Sequence, residues 1–239
     1  MNHYHLYSNH EDWSTACSIL ERYYELGGSK FLAIGVAESA EAVIEQLRRT
    51  GEGQRAERLR RQVLAHADYF LSVGIDLPAH EVNYEQSIVA PLLQLLISAY
   101  HLNPSDTYLA AIQERLPWLL AFAGPQPHAR LRHIAIRHWD GYWFGALHLW
   151  GDVFPHYWSV LNAAVLRRLP KEIDCPKAKA MADAILKANL VNFADDGSAT
   201  CAFVYPGCVD GNPAHIADPV ANDQDWALVY ALQYGDWNA

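Results

Sequence analysis

Apolar residues recur in this chain at the spacing of an α-helix, and the helices that they predict are of two kinds. Residues 54–73 carry a single apolar stripe with the arginines largely off it, which indicates a helix with one face in water. Residues 84–101 leave almost no polar face, which indicates a helix buried on all sides. An alternation of the two kinds favours two concentric layers of helices over a plain bundle, whose helices should all be one-sided.

The same periodicity predicts about eight helices in one all-α domain over residues 1–239. The predicted helices cover residues 11–26, 37–49, 54–73, 84–101, 105–122, 156–168, 176–193 and 222–234. The faces predicted to be buried in the first three are Trp13, Cys17, Leu20 and Tyr24; Ala40, Val43, Ile44 and Leu47; and Leu59, Val63, Ala67, Phe70 and Leu71. Residues 27–28 end the first helix and Pro117 interrupts the fifth. Short strands are expected only as loop hairpins, near residues 132–136 and 200–205.

Charge and hydropathy argue against two classes of partner. The formal net charge is −9, and the densest basic run, residues 55–61, lies on an outer helix face rather than in a stripe, so nucleic acid is not expected. No apolar run reaches the roughly 20 residues that a membrane span needs. Residues 1–5 lack a basic region followed by an apolar one, so the expected compartment is the cytoplasm.

The cysteines and histidines give no metal signature. The four cysteines form no CxxC pair, so free thiols are expected, although Cys201 and Cys208 could pair across the loop that they bracket. Metal binding by His80 with Glu81, or by His138 with Asp140, is not favoured because neither pair has helical ligand spacing. No metal and no cofactor are therefore expected.

Polar and aromatic residues that could do chemistry concentrate in three segments. Two long connections, at about residues 124–155 and 195–222, are rich in Trp, Tyr, His, Asp, Asn and Gly, and loops of this length are usually functional. The segments are residues 80–86 (HEVNYEQ), 137–159 (which contains RHWDGYWFG and GDVFPHYWS) and 218–226 (DPVANDQDW). Each lies where a helix is predicted to begin, and free N–H groups at a helix start stabilise anions. Two carboxylates across a cleft there could divide acid and base roles, with aromatic rings holding a sugar.

A structural role explains several of these residues individually. Asn and Asp before a helix are more often caps than catalysts, which applies to Asn83, Asn222 and Asp223. Asp140 and Gly141 could form only a turn. It is the convergence of the three segments, rather than any single residue, that favours function.

The three segments resemble bacterial proteins of the six-hairpin glycosidase superfamily, in particular members that act on glycans containing uronic acid. The resemblance covers most of residues 75–235. It implies an (α/α) toroid, here an incomplete six-hairpin barrel of about eight helices with long functional loops, and a carbohydrate substrate. The superfamily contains both hydrolases and eliminative lyases, so the fold alone does not fix the reaction.

Hydrolysis by two carboxylates is the first hypothesis. Asp140 is the candidate general acid, because Trp139, Tyr142 and Trp143 would desolvate it and raise its pKa. Glu85 or Glu81 is the candidate base, with Asp223 or Asp225 in reserve. The other candidates for binding the sugar are Tyr84, His156, Trp158 and Trp226.

Two alternatives remain open. In β-elimination from a uronic acid, Asn83, Arg137 or His138 would hold the substrate carboxylate, and Tyr84, Tyr142 or His156 would supply the base. In the other alternative the chain is a non-catalytic glycan-binding or structural domain. An unsaturated product distinguishes the lyase from the hydrolase, and binding without turnover distinguishes the third alternative.

A complete six-hairpin ring needs more helices than the eight predicted here. The chain could be a C-terminal piece of a longer protein, an incomplete ring or one half of an assembly. Apolar residues on the first and last predicted helices, such as Ile19 and Leu232, would then meet a partner. The expected partner is a second copy in a homo-oligomer or a missing N-terminal domain.

Overall fold

A computed structural model describes residues 9–73, 88–122, 159–190, 193, 195–196, 208–209, 212–213 and 224–235. These ranges contain eight α-helices: α1 (His10–Glu25), α2 (Val36–Arg49), α3 (Gly53–Val73), α4 (Ala90–Leu102), α5 (Asp106–Phe122), α6 (Val160–Arg168), α7 (Ala178–Asn189) and α8 (Gln224–Tyr234). They also contain a short 3₁₀ helix (Gly28–Lys30) and two strands, β1 (Cys208–Val209) and β2 (Asn212–Pro213). The predicted all-α class is therefore confirmed.

Helix α1 has the buried face that its sequence predicts, and each of its ends lies one residue before the predicted one. The side chain of Asn9 caps its start by accepting a hydrogen bond from the Glu11 N–H at 3.0 Å. The predicted face is buried, and it includes Cys17, a free thiol. The helix ends at Glu25, shortly before the predicted stop at Gly27, whose φ of 86° lies in the left-handed region that glycine adopts without strain.

The helices α2 and α3 form a hairpin whose two partners pack against each other. Gly51, with a φ of 84°, makes the turn between them. The predicted apolar faces of both helices are buried except for Leu71, which is half-buried. The arginines of α3 lie at exposed or half-buried positions, so this helix has one face in water, as predicted.

Helix α4 is buried on all sides, as its composition predicts. Residues 88–99 are all buried, with Pro91 in the first turn, where a missing N–H costs no hydrogen bond. The α-helix begins at Ala90, and residues 84–87 of the predicted helix lie outside the described ranges. Helix α6 is of the same kind, because every residue from Val160 to Leu166 is buried. Wholly buried helices thus occur beside one-sided ones.

Helix α5 corrects one prediction. It runs continuously from Asp106 to Phe122 through Pro117, where the sequence predicts an interruption. A proline removes one backbone donor and strains the preceding turn. The buried side chains of Ile112 and Leu119 fix the helix on either side of Pro117, so packing outweighs this local cost.

The chain divides into two compact units. The first contains, among described residues, 9–73 and 88–115; in it α2, α3 and α4 pack on one another, and α1 packs on α2. Tyr108 of α5 donates a hydrogen bond to Asp68 of α3 at 2.7 Å, which ties these two helices together. The prediction of one domain over residues 1–239 stays a prediction.

The second unit contains the described residues from 116 onward. In it α6, α7 and α8 pack on one another, and Arg167 of α6 pairs with Asp183 of α7. The antiparallel pair β1–β2 places Cys208 opposite Pro213. It lies just beyond the predicted hairpin at residues 200–205, and both predicted hairpins fall outside the described ranges. No helix in the described part of the chain has the length and hydropathy to span a membrane.

Candidate functional site

Most of the predicted site residues lie outside the described ranges. They are Glu81, Asn83, Tyr84, Glu85, Arg137, His138, Trp139, Asp140, Tyr142, Trp143, His156, Trp158 and Asp223. Asp225 and Trp226 fall within α8, but their side chains are outside the description. The roles assigned to all fifteen residues, and the predicted cap by Asn222 or Asp223, stay predictions.

The three candidate segments each lead into a helix of the structure. Segment 80–86 ends four residues before α4 begins at Ala90, and segment 137–159 ends where α6 begins. Segment 218–226 runs into α8, which begins at Gln224. A helix start carries free N–H groups and a partial positive charge, which suits a carboxylate ligand. The helices that follow the first two segments carry long buried runs, residues 88–99 and Val160–Leu166.

Gln94 is a functional candidate that the sequence analysis missed. It lies in α4 and is 1% exposed, and neither its amide nitrogen nor its amide oxygen has a hydrogen-bond partner among the described residues. A buried polar group left unpaired costs about 1–3 kcal/mol. The sequence could have revealed this residue, because Gln94 is the amide in the otherwise apolar run APLLQLLI. Such a residue calls for an explanation beyond packing.

A tyrosine–histidine pair does occur among the described residues, in the first unit. His66 of α3 is 2% exposed, and its Nε2–H donates to the carbonyl of Phe31 at 3.0 Å. Its Nδ1 then accepts from the hydroxyl of Tyr24, at the long distance of 3.5 Å. Tyr23 donates to the carbonyl of Gly28 at 2.6 Å and lies 2.9 Å from that of Phe31. The network therefore joins α1 and α3 to the 3₁₀ helix and the loop after it.

Burial makes this pair unsuited to proton transfer. It lowers the pKa of His66 to about 4 and raises the pKa of Tyr23 to about 12. The pKa of Tyr24 is raised still further, mainly by burial and in part by Tyr23. A general base works best with a pKa near the working pH and within reach of its substrate, and neither condition holds here. The Tyr24–His66 pair therefore has a structural role rather than a catalytic one.

The ion pair at the centre of a polar groove between α1 and α3 also has a structural role. Arg55 binds Glu21 through two hydrogen bonds, Nε to Oε1 at 2.6 Å and Nη2 to Oε2 at 2.9 Å. The hydrogen bonds from Arg55 lower the pKa of Glu21. The groove, of about 460 Å³, is also lined by Glu25, Arg58 and Gln62. Two carboxylates and two guanidinium groups balance in charge, so the groove gives no preference for an anionic ligand.

Within the ranges given above, His, Cys, Asp and Glu side chains form no group of three that could hold an ion. The pairs His80–Glu81 and His138–Asp140 are outside those ranges.

Comparison with known proteins identifies one informative likeness. Neither a family model nor a curated protein matches the chain. A solved structure described as a polysaccharide lyase matches over 97% of this chain, with 39% sequence identity and a TM-score of 0.78. The match covers 34% of that lyase, so the chain spans about a third of its length. The likeness supports the predicted all-α toroid class and relates this chain to one part of a polysaccharide lyase.

Proposed function

We propose that this chain takes part in the eliminative cleavage of a polysaccharide that contains uronic acid. The observation that carries the proposal is the 39% identity to a polysaccharide lyase over nearly the whole chain. It favours the lyase alternative over hydrolysis. Eliminative cleavage itself restricts the substrate, because the proton removed at C5 is acidic only beside a C6 carboxyl group.

The reaction has two requirements that the candidate segments can meet. A group must neutralise the substrate carboxylate, and Asn83, Arg137 or His138 is the proposed one. A base must take the C5 proton, and Tyr142, with Tyr84 or His156 as the alternative, is proposed for this step. The electron pair of the C5–H bond then forms the C4–C5 double bond as the C4–O bond breaks. The leaving oxygen receives a proton, so that the products are a new hydroxyl end and an unsaturated uronate.

The hydrogen-bonded pair His66 and Tyr24 is not proposed for this chemistry. Both residues are buried, and their pKa values are shifted away from the range of a useful base.

The test measures ultraviolet absorbance of the unsaturated uronate on a panel of uronate-containing polysaccharides. Tyr142→Phe is expected to lower kcat at least about 100-fold, the range that general acid–base catalysis supplies. Tyr69→Phe is the control, because it removes a hydroxyl from a half-buried residue of α3. This variant should retain full activity.

Each other outcome selects a different conclusion. Cleavage without a rise in absorbance, lost in Asp140→Asn, would replace the lyase by the hydrolase. Binding without turnover, lost in Trp143→Ala but kept in Asp140→Asn, would indicate a glycan-binding domain. No turnover on any uronate polysaccharide would contradict the proposal for this chain.

A further inference from the structure

Positive charge is concentrated at the end of the hairpin that α2 and α3 form. Residues 45–62 contain six arginines and three glutamates, although the formal net charge of the chain is −9. A helix face that only keeps a protein soluble usually carries both signs of charge interspersed. The excess of arginine at this end of the hairpin is therefore local, and its consequence depends on which of the six arginines have carboxylate partners.

Three of the six arginines are balanced by carboxylates. The ion pairs of two of them are Arg49–Glu45, Arg55–Glu52 and Arg55–Glu21. The third, Arg58, lines the polar groove between α1 and α3, in which two carboxylates balance two guanidinium groups. It lies close enough to Glu21 to lower the pKa of that carboxyl group, after the larger effect of Arg55. These three arginines leave little positive charge for a ligand.

The other three, Arg48 of α2 with Arg60 and Arg61 of α3, form an arginine cluster around the carboxylate of Glu57. Arg60 binds Glu57 through two hydrogen bonds, Nε to Oε2 at 2.8 Å and Nη2 to Oε1 at 2.9 Å. These bonds lower the pKa of Glu57, and the nearby charges of Arg61 and Arg48 lower it further. Arg60 occupies both oxygens of Glu57, so Arg48 and Arg61 stand exposed without an ion pair in the described part of the chain.

Two exposed guanidinium groups on adjacent helices suit a ligand that carries several carboxylates. The planar fork of N–H donors on each group matches the two oxygens of a carboxylate. A single carboxylate binds weakly at so exposed a position. A polymer with a carboxylate on many of its sugar residues can contact both groups at once, and its second contact is then intramolecular.

We propose that Arg48 and Arg61 form a surface site that holds a uronate polysaccharide through its carboxylates. The choice of a uronate polymer as the ligand rests on the proposed function, and the site adds to that function a preference for long, densely charged substrates. Neither arginine belongs to the three candidate segments, and the site binds the polymer without taking part in the elimination.

The experiment measures the Kd of the whole chain for polygalacturonate, a polymer of uronic acid, and for its fully methyl-esterified form, which is uncharged. Arg48→Gln with Arg61→Gln should raise the Kd for polygalacturonate at least about threefold at low ionic strength, because two exposed ion pairs are lost. The difference should shrink at about 0.15 M salt, where the Debye length is about 8 Å. Both forms of the chain should bind the methyl-esterified polymer equally weakly.

A matched variant controls for overall charge. Lys171→Gln with Lys177→Gln removes the same charge from exposed positions of the second unit and should leave the Kd unchanged. Neither double variant should alter the Tm, because all four side chains are exposed and glutamine is about as good a helix former as arginine and lysine. A loss of binding accompanied by a clearly lower Tm would instead assign the two arginines a structural role.

The other outcomes overturn the inference in distinct ways. An unchanged Kd in the arginine variant would mean that the cluster does not hold the polymer. An equal loss in the lysine variant would mean that overall charge, rather than the cluster, sets the affinity. Equally tight binding of the methyl-esterified polymer would exclude recognition through carboxylates. Tighter binding of a DNA duplex, lost in the same arginine variant, would assign the cluster to nucleic acid.

The release of unsaturated uronate, measured on the same variants, separates this inference from the proposed function. Suppose that binding is lost in the arginine variant but the unmodified chain releases no product from any uronate polysaccharide. The surface site is then supported and the proposed function is contradicted. Product release by an unmodified chain whose arginine variant binds just as tightly would support the proposed function and overturn the surface site.

Discussion

His66 illustrates what a buried polar side chain does when its partners are known. Both of its ring nitrogens form hydrogen bonds, one to the Phe31 carbonyl and the other with the Tyr24 hydroxyl. The rings of Tyr24 and Phe70 surround it, with centroids 5.9 Å and 5.5 Å away. This arrangement suits a neutral imidazole, because a proton on Nδ1 would face the hydroxyl whose bond it now accepts.

The stability of the chain should therefore depend on pH through His66. Burial lowers its pKa to about 4, against 6.5 when exposed, so between these values the unfolded chain binds a proton that the folded chain does not. Stability is then full above about pH 6.5 and falls as the pH drops towards 4. The loss is at most about 3.5 kcal/mol, at about 1.4 kcal/mol per pKa unit.

Urea unfolding at pH 7 and at pH 4.5 measures this loss. His66→Gln keeps a donor and an acceptor but cannot take up the proton, so its stability should differ less between the two pH values. His10→Gln, at the exposed start of α1, should keep the pH dependence of the unmodified chain. An equal dependence in the His66→Gln variant would show that other groups cause the loss.

Hydrophobic periodicity predicts the environment of some residues and not of others. It identified the buried face of α1 because apolar side chains at helix spacing must face the core. It did not identify Gln94 or the partners of His66, since hydrogen bonding depends on groups that are distant in the sequence. The catalytic candidates rest on residue type and resemblance, and they stay predictions.

The 3₁₀ helix after α1 depends on a glycine for a steric reason. A Cβ added to Gly28 would lie 2.5 Å from three atoms of the Tyr23 ring. That ring is held in place by the hydrogen bond from its hydroxyl to the Gly28 carbonyl, beside which the Phe31 carbonyl lies 2.9 Å from the same hydroxyl. A side chain at residue 28 would have to displace the ring and break this hydrogen bond.

Gly28→Ala should accordingly lower the free energy of unfolding by about 1–3 kcal/mol, the usual cost of overpacking. Gly53→Ala is the control, because nothing lies within 4 Å of its added Cβ and it begins α3. It should be neutral or stabilising by up to about 1 kcal/mol, as alanine favours a helix. Chemical denaturation of both variants checks the difference, and equal values would contradict the steric argument.

The sequence predicts the helices better than their ends. α2 and α3 begin one residue before their predicted ranges. By contrast, α7 ends at Asn189, where residues up to 193 were predicted. The side chain of Asn189 donates to the carbonyl of Ile185 at 2.9 Å, and the next turn tightens to 3₁₀ geometry. Hydrophobic spacing fixes where a helix lies, whereas such local hydrogen bonds fix where it stops.

At the scale of the whole molecule, the all-α class and the occurrence of both buried and one-sided helices were predictable from the hydrophobic pattern. Reaction class was not, because carboxylates, tyrosines and histidines occur together in the candidate segments. The 39% identity to a polysaccharide lyase favours elimination over hydrolysis, a distinction that composition alone does not make.

The first unit also carries an apolar patch formed by Ile19, Leu26 and Ile34. Ile19 is 62% exposed and Leu26 is 69% exposed. Ile19 and Ile34 line one cavity of about 270 Å³, and Ile19 and Leu26 line another of about 670 Å³, so the three side chains are continuous. Grouped apolar side chains of this kind mark interaction surfaces.

We expect this patch to cause self-association of the chain in solution. Light scattering should give a mass above that of the 26.9 kDa monomer, increasing with concentration. Ile19→Lys with Leu26→Lys should restore the monomer, whereas Leu190→Lys, at the end of α7, serves as a control for an exposed leucine elsewhere. A monomeric unmodified chain at high concentration would rule the expectation out.

The burial of Cys17 gives the first unit an internal chemical reporter. Its thiol is 1% exposed, and burial raises its pKa, so little of it is thiolate in the folded chain. An alkylating reagent reaches it only after α1 separates from its neighbours, whereas the half-buried Cys175 needs a smaller opening. The ratio of the two modification rates therefore compares the opening of α1 with motion near α7, in the unmodified protein and without any attached label.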